Sequence, residues 1–409
     1  MATVEAHPLL VPAPRALAPW KRVARRLVLD RLAAGGAPGR IAVVLPDGAR
    51  VELGDGPRVE AVLRVHDDRA FTRVLARGEL GAGEAFTAGE WDADDLPAAL
   101  RWFLRATAAA GVESPLTRLG SWAARRRHRR AANDRAGSAR NIAAHYDLGN
   151  AFYRTFLDDE LVYSCGMWGG AADLAAAQRA KLERLCELAA IGPGARVLEI
   201  GCGWGALALH AARTRGARVT AITVSPAQLA HAQARAAAEG LAGQVEFRLC
   251  DYRDVTGTYD AVVSCEMLEA VGYEFLPRYF ATVAARLAPG GRAAIQSITM
   301  PDQRFARYLG SVDWMQTYIF PGSLIPSLGA IRGALAGTGL VLDRADDIGP
   351  DYAPTLAAWR ARFEAALPTV RALGFDDAFI RAWRLYLGFS QAAFAERTLA
   401  DHQLVLTRR

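Results

Sequence analysis

A chain of 409 residues with 52% hydrophobic content is long enough for two domains and a large core. No apolar run reaches the roughly 18 residues of a bilayer-spanning helix, the first nineteen residues lack a charged-then-apolar export pattern, and Cys165, Cys186, Cys202, Cys250 and Cys265 show neither CxxC nor metal spacing, so a reduced, cytoplasmic protein without a metal site is expected. The net charge of +6 rests almost wholly on arginine, with lysine only at Lys21 and Lys181, and arginine alongside abundant alanine names no partner by itself.

Residues 1 to about 20 are Pro/Ala-rich and expected to fray. Trp20 to Leu32 reads as an amphipathic helix carrying Arg22, Arg25, Arg26 and Arg31. Ile41 to Leu45, the turn Pro46-Asp47-Gly48 and Arg50 to Leu53 read as a hairpin. Val59 to Val65 follows as a strand, Phe71 to Leu75 begins a helix, and Leu96 to Ala109 is another helix beyond the glycine-rich stretch Gly78 to Trp91. Residues 1–116 are thus expected to form a small α+β domain with no nucleophile or metal constellation.

Residues 117–140 shift in composition. Arg118, Arg125, Arg126, Arg127, Arg129, Arg130, Arg135 and Arg140 stand against one acid, Asp134, with Trp122 and His128 interspersed. One reading is a solvated interdomain helix. The other is a patch, centred on Arg125, Arg126, Arg127, Arg129 and Arg130, that meets anionic lipid headgroups at on the order of 1 kcal/mol per charge. No nucleic-acid-binding fold accompanies it, so no nucleic acid is expected.

Residues 141–409 alternate helices and strands: Leu174 to Ala190, Val197 to Ile200, Ala206 to Arg213, Arg218 to Thr223, Pro226 to Glu239, Val245 to Leu249, Tyr259 to Ser264, Arg292 to Ile298, Leu340 to Arg344 and Gln403 to Thr407. Such alternation predicts a doubly wound, mostly parallel α/β sheet, with ligands at the carboxyl ends of its strands. Glu199, Thr223, Asp251, Glu269 and Gln296 should then line one crevice. At its centre Val197-Leu198-Glu199-Ile200-Gly201-Cys202-Gly203-Trp204-Gly205 is strand, glycine turn and helix start. Glycine tolerates positive φ and lets backbone N–H groups approach a ligand. The spacing is G-x-G-x-G, not the dinucleotide G-x-G-x-x-G, and P-G-A-R-V-L-E-I-G-C-G-W-G looks like the S-adenosylmethionine (SAM) motif of class I methyltransferases, which implies a Rossmann-like sheet.

Further stretches share one pattern with it: Tyr146-Asp147-Leu148-Gly149-Asn150-Ala151-Phe152-Tyr153, Tyr163-Ser164-Cys165-Gly166-Met167-Trp168, Glu266-Met267-Leu268-Glu269-Ala270-Val271-Gly272 and Tyr318-Ile319-Phe320-Pro321-Gly322. Together they resemble the cyclopropane-fatty-acyl-phospholipid synthase family over roughly residues 20 to 409, the Gly78–Trp91 stretch resembling that family's N-terminal, lipid-associated domain. The resemblance implies SAM-dependent methyl transfer to unsaturated acyl chains of membrane phospholipids by an enzyme bound peripherally to the inner leaflet, with a homodimer left open. It implies SAM contacts at Tyr163, Ser164, Glu199, Gly201, Gly203, Gly205, Thr223, Ser225, Gln228, Asp251, Tyr252 and Arg253. Ser225-Pro226 also reads as an ordinary helix start.

An isolated alkene is a weak nucleophile, so methyl transfer leaves a carbocation in the acyl chain. That cation needs a site without water and gains about 0.5–2 kcal/mol from each aromatic face. Tyr163, Trp168, Tyr273, Tyr318, Phe320 and Phe389 are the candidates. In the resembled family bicarbonate removes the proton, held near positions that match Cys165, Glu269 and Tyr318, a histidine, and the backbone two residues beyond it. Here that histidine position is Gln296, with Ile298 beyond it; the histidine after Glu269 is Ala270, and Ser390 stands where the family often has cysteine. These departures leave the methyl-donor side unchanged and alter the base side. A cyclopropane chain is the expected product. A methyl- or methylene-branched chain, methylation of an amine, and a catalytically silent lipid- or SAM-binding protein are the alternatives.

Overall fold

The computed structural model describes residues 19–110 and 148–408. The arginine stretch 117–140, including Arg125, Arg126, Arg127, Arg129 and Arg130, and Tyr146 and Asp147 lie outside the described residues.

The first sheet is built from α1 (Pro19–Ala34), β1 (Arg40–Val44), β2 (Arg50–Gly54), β3 (Val59–Val65), α2 (Arg69–Arg77), α3 (Glu79–Thr87), β4 (Trp91–Ala93) and α4 (Leu96–Ala110), with strand order β2-β1-β3-β4. β1 and β2 form the hairpin, Val44 opposite Arg50, and Gly48 at φ +82° makes its turn. Glycine-rich Gly78–Trp91 carries helix α3 although glycine disfavours helices by about 1 kcal/mol each. The reason is close packing: a Cβ on Gly81 would lie 2.1 Å from the Arg73 carbonyl oxygen, and one on Gly83 would lie 2.4 Å from the Trp314 ring.

The second part comprises α5 (Asn150–Tyr153), α6 (Leu174–Leu188), β5 (Arg196–Ile200), α7 (Ala206–Arg215), β6 (Arg218–Thr223), α8 (Pro226–Ala238), β7 (Val245–Leu249), β8 (Tyr259–Cys265), α9 (Leu276–Arg286), β9 (Leu287–Thr299), α10 (Asp302–Leu309), α11 (Trp314–Tyr318), α12 (Leu328–Ala334), β10 (Leu340–Asp347), α13 (Tyr352–Ala365), α14 (Leu367–Ala372), α15 (Asp377–Ala395) and β11 (Ala400–Arg408). Its strand order is β10-β11-β9-β8-β5-β6-β7. β5 to β9 run parallel, and β11 inserts antiparallel between β9 and β10. The chain runs from β5 outward to β7 and then returns to β8 on the other side of β5. That reversal opens a crevice at the carboxyl ends of β5 and β8.

The two sheets share one apolar core. Ile41, Leu63 and Trp102 of the first part join Phe152, Phe156, Trp359, Phe363 and Trp383 around α5, α13 and α15 in a single cluster. Each buried phenylalanine there contributes about 1.5–3 kcal/mol. Polar clasps reinforce it: Arg381 donates to the Phe86 and Trp91 carbonyls, and Arg101 and Arg105 both reach Glu396.

Candidate active site

The crevice is a cavity walled by the ends of β5, β6 and β8, by residues 161–164 and by Lys181 of α6. Tyr163, Ser164, Glu199, Gly201, Gly203, Thr223, Gln228, Asp251 and Tyr252 line it. Gly203 has φ +51° and its missing Cβ would point into open space, whereas a Cβ on Gly201 (φ +82°) would lie 2.5 Å from Met267. The loop therefore offers an open cradle at Gly203 and a close chain crossing at Gly201. Trp204 Nε1 donates to Asn150 Oδ1 at 2.7 Å, which ties the Leu148–Tyr153 motif to this turn.

Three residues expected to touch the cofactor are not among those that line the cavity, and each has a structural role. Gly205, at φ +90°, lies against Phe247 and Ala232, where a Cβ would meet atoms at 2.8 and 3.0 Å. Ser225 caps α8 by accepting from the Gln228 amide. Arg253 donates twice to Asp251, at 2.7 and 2.6 Å, and its guanidinium stacks over Tyr252.

The cavity floor is electrostatically unusual. Glu199 is 2% exposed, its Oε2 has no partner, and burial pushes its carboxyl up to about 8 against the opposing pull of Lys181. Lys181, 1% exposed, donates to Ser164 Oγ at 2.6 Å and to the Cys265 thiol at 3.5 Å. The Tyr252 hydroxyl is likewise buried without a partner. The open cradle, a buried carboxyl with one unpartnered oxygen and an unpartnered hydroxyl together fit a ligand with a cationic end and hydrogen-bonding groups.

Behind this floor lies a second cluster. Glu266, just past β8, accepts from the Cys165 amide at 2.8 Å, from Gln296 Nε2 at 2.9 Å and from the Tyr352 hydroxyl at 2.6 Å. Gln296 Nε2 also donates to Asp401 at 2.9 Å, and its carbonyl accepts from Gln403 at 3.1 Å. Glu269 accepts from the Ser297 hydroxyl at 2.9 Å and from the Ile298 amide. Desolvation, and then the neighbouring Glu266, push Glu269 up to about 8. The Cys165 thiol is driven well above its ordinary range by burial, so that residue works through its amide.

Cys165, Glu269, Gln296 and Ile298 thus meet, but Tyr318 does not join them. Its side chain is 47% exposed and its hydroxyl donates to Glu84 of α3 at 2.6 Å, because Gly83 draws the Trp314 end of α11 against α3. Tyr352 supplies the hydroxyl of the cluster instead. Ser390 sits half-buried on α15 and is not among the cavity-lining residues. Of the aromatic candidates, Tyr163 faces the cavity and bonds Tyr386 at 2.7 Å, Trp168 donates to Thr355, Phe320 meets Tyr386 edge-on, Phe389 packs on the core, and Tyr273 is 46% exposed. Sequence reasoning missed Glu266, Lys181, Tyr352 and Asp401. Lys181 had one signal, as the sole lysine of its half in a chain that otherwise uses arginine. No metal-holding group of His, Cys, Asp and Glu occurs among the described residues.

Residues 133–404 match the family model described as mycolic acid cyclopropane synthetase. A tuberculostearic acid methyltransferase of Mycobacterium tuberculosis is 40% identical over 379 residues, 90% of this chain and 87% of that one. The cyclopropane-fatty-acyl-phospholipid synthase of Escherichia coli is 36% identical over 351 residues, 85% and 88% of the two chains. Among solved structures, a mycolic acid cyclopropane synthase complexed with SAH has TM-score 0.62 at 27% identity, covering 66% of this chain and 98% of that one.

Proposed function

The chain belongs to the mycolic acid cyclopropane synthetase family and is a SAM-dependent methyltransferase acting on lipid acyl chains, and we propose that its substrate is a membrane phospholipid with a cis-unsaturated chain, which leaves as the cyclopropane. The observation that carries this reading is the pairing of two sites that meet at Glu266: a cavity at the ends of β5 and β6, and a carboxylate cluster at the ends of β8 and β9.

When bound, SAM supplies an electrophilic methyl group. The Gly203 cradle and Glu199 would hold its methionyl end, and Thr223, Gln228, Asp251 and Tyr252 its ribose and adenine. Ser164 and Lys181 close the side toward β8. The acyl chain's double bond attacks the methyl carbon, leaving a cation on the adjacent carbon. Tyr163, packed against Tyr153 and Trp359 at 5.5 and 5.3 Å between ring centres, presents an aromatic surface and keeps water away. Loss of a proton from the new methyl group, with closure onto the cation, gives the ring.

A second reading has its own support. Gln296, in place of a histidine, and the tuberculostearic acid relative favour a chain that ends branched. If a hydride migrates to the cation before the proton leaves, the same methyl group becomes a methylene branch on an open chain. Ring and methylene products are isomers, so mass alone does not separate them. Incubation with SAM and cis-monoenoic phospholipid, followed by proton NMR of the chains, decides. Upfield cyclopropane protons are expected; vinylidene protons transfer the assignment to the second reading, and an unmodified lipid removes both.

A further inference from the structure

The cradle that the family resemblance assigns to bicarbonate is filled by the chain itself. Cys165 and Gln296, two of the positions expected to hold the anion, spend their donors on Glu266: the Cys165 amide at 2.8 Å and Gln296 Nε2 at 2.9 Å on Oε1, with Tyr352 at 2.6 Å on Oε2. The Ile298 amide, a third such position, is taken by Glu269. A second anion placed there would find the Cys165, Gln296 and Ile298 donors already taken, leaving only the unpartnered Oε2 edge of the Glu269 carboxyl, and would sit against the Glu266 carboxylate, an arrangement that disfavours charge on both.

Glu266 is held there against backbone strain. Its φ is +49°, a region costing a side-chain-bearing residue on the order of 1 kcal/mol. Its own amide donates to the Gln296 carbonyl at 2.8 Å, which pins the turn, and the residue lines the cofactor cavity. Desolvation pushes the Glu266 carboxyl above its ordinary range, and the three donors that converge on it, with Lys181, pull the other way toward the charged form. Asp401 of β11, wholly buried, shares the Gln296 amide and is pushed far toward its neutral form by desolvation and by the adjacent Glu266 and Glu269. In this pair three donors gather on Glu266, while Asp401 takes one and leaves its Oδ1 without a partner, so the geometry holds the charge better on Glu266 than on Asp401.

We propose that the Glu266 carboxylate is the base of the reaction and that the enzyme therefore needs no bicarbonate. This rests on the methyl-transfer reading above. The alkene π pair forms the new C–C bond as the C–S bond breaks and S-adenosylhomocysteine leaves. A C–H bond of the transferred methyl then breaks; its proton goes to a Glu266 oxygen and its electron pair closes the ring, or forms the methylene double bond after hydride migration. Cys165, Gln296, Tyr352 and Asp401 are positioning residues for that carboxylate.

The test uses the full chain, cis-monoenoic phospholipid vesicles and SAM in buffer stripped of carbon dioxide. Wild-type chain modification is expected to be the same with and without added bicarbonate. Glu266→Gln should lose at least about a hundredfold of the rate while calorimetric SAM affinity is retained. Glu266→Gly empties the cradle; it should be silent without bicarbonate and recover when bicarbonate is added. Carbon-13 bicarbonate NMR should show line broadening with Glu266→Gly and none with the wild type. A wild type that stops when bicarbonate is stripped, that broadens the bicarbonate signal, or a Glu266→Gln variant at wild-type rate would overturn the proposal. A wild type that modifies no chain would instead sink the methyl-transfer reading, and the bicarbonate titration would still decide who fills the cradle.

Discussion

Glu199 and the glycines of the β5–α7 turn give predictions on single atoms. In the free protein burial raises Glu199 to about 8 and Asp158 to about 6. Both lie above their unfolded values, so the folded state binds more protons and its stability falls as pH rises. The window runs from about 4.5 to 8 for Glu199 and from about 3.8 to 6 for Asp158, at no more than about 1.4 kcal/mol per pH unit each. Urea titrations of the free protein should show Glu199→Gln flattening the Glu199 segment of that curve. A cationic methionyl end beside Glu199 favours its charged form, so SAM binding at pH 7 is expected to release a proton, and affinity should rise as pH approaches 8. Calorimetry in buffers of different ionisation enthalpy reads that proton; its persistence in Glu199→Gln would place its source elsewhere. At the turn, Gly203→Ala meets no protein atom and should cost stability only about 1–2 kcal/mol of φ strain, yet weaken SAM binding. Gly201→Ala, driven into Met267, should destabilise the fold more.

Among the elements, those governed by local pattern were readable and those governed by distant pairing were not. Strand β6 lies at Arg218–Thr223 and β7 at Val245–Leu249, the ranges that alternation and turn residues marked. Their carboxyl ends, with that of β5, bring Glu199, Thr223 and Asp251 to one cavity. By contrast, nothing in Ala400–Arg408 says that β11 slots antiparallel beside β9, and that insertion alone carries Asp401 to Gln296. Tyr352 reaches Glu266 from the start of α13, 86 residues away in sequence, a contact no spacing encodes. Tyr318 misled through its motif, because the packing of α11 on α3 turns its hydroxyl to Glu84. That packing is testable. Gly83→Ala puts a methyl group into the Trp314 ring, and overpacking of this kind costs about 1–3 kcal/mol. Denaturant unfolding should show that loss, and an unchanged midpoint would mean that α11 is not held by α3.

At the scale of the molecule, the shared core makes the first sheet part of the enzyme's rigid body rather than a tethered appendage. It also presents α1, on which Trp20, Val23 and Leu27 are 59%, 56% and 49% exposed beside exposed Arg22, Arg26 and Arg31. No helix among the described residues is long and apolar enough to cross a membrane. An apolar stripe flanked by cations is instead the pattern of a helix lying in a lipid interface, and it supports encounter with a phospholipid surface. Trp20→Glu with Leu27→Glu should weaken binding to anionic vesicles without changing SAM affinity. Charge reversal at Arg125, Arg126 and Arg127 should weaken it in a salt-sensitive way; binding that ignores both changes would leave the lipid surface to some other face. The most direct measurement follows the methyl carbon itself. Given SAM labelled in its methyl group and vesicles of cis-monoenoic phospholipid, the purified protein should place the label in the acyl chain, one carbon per double bond consumed. Label that stays in SAM, or that appears on an amine while the double bonds survive, would contradict the assignment.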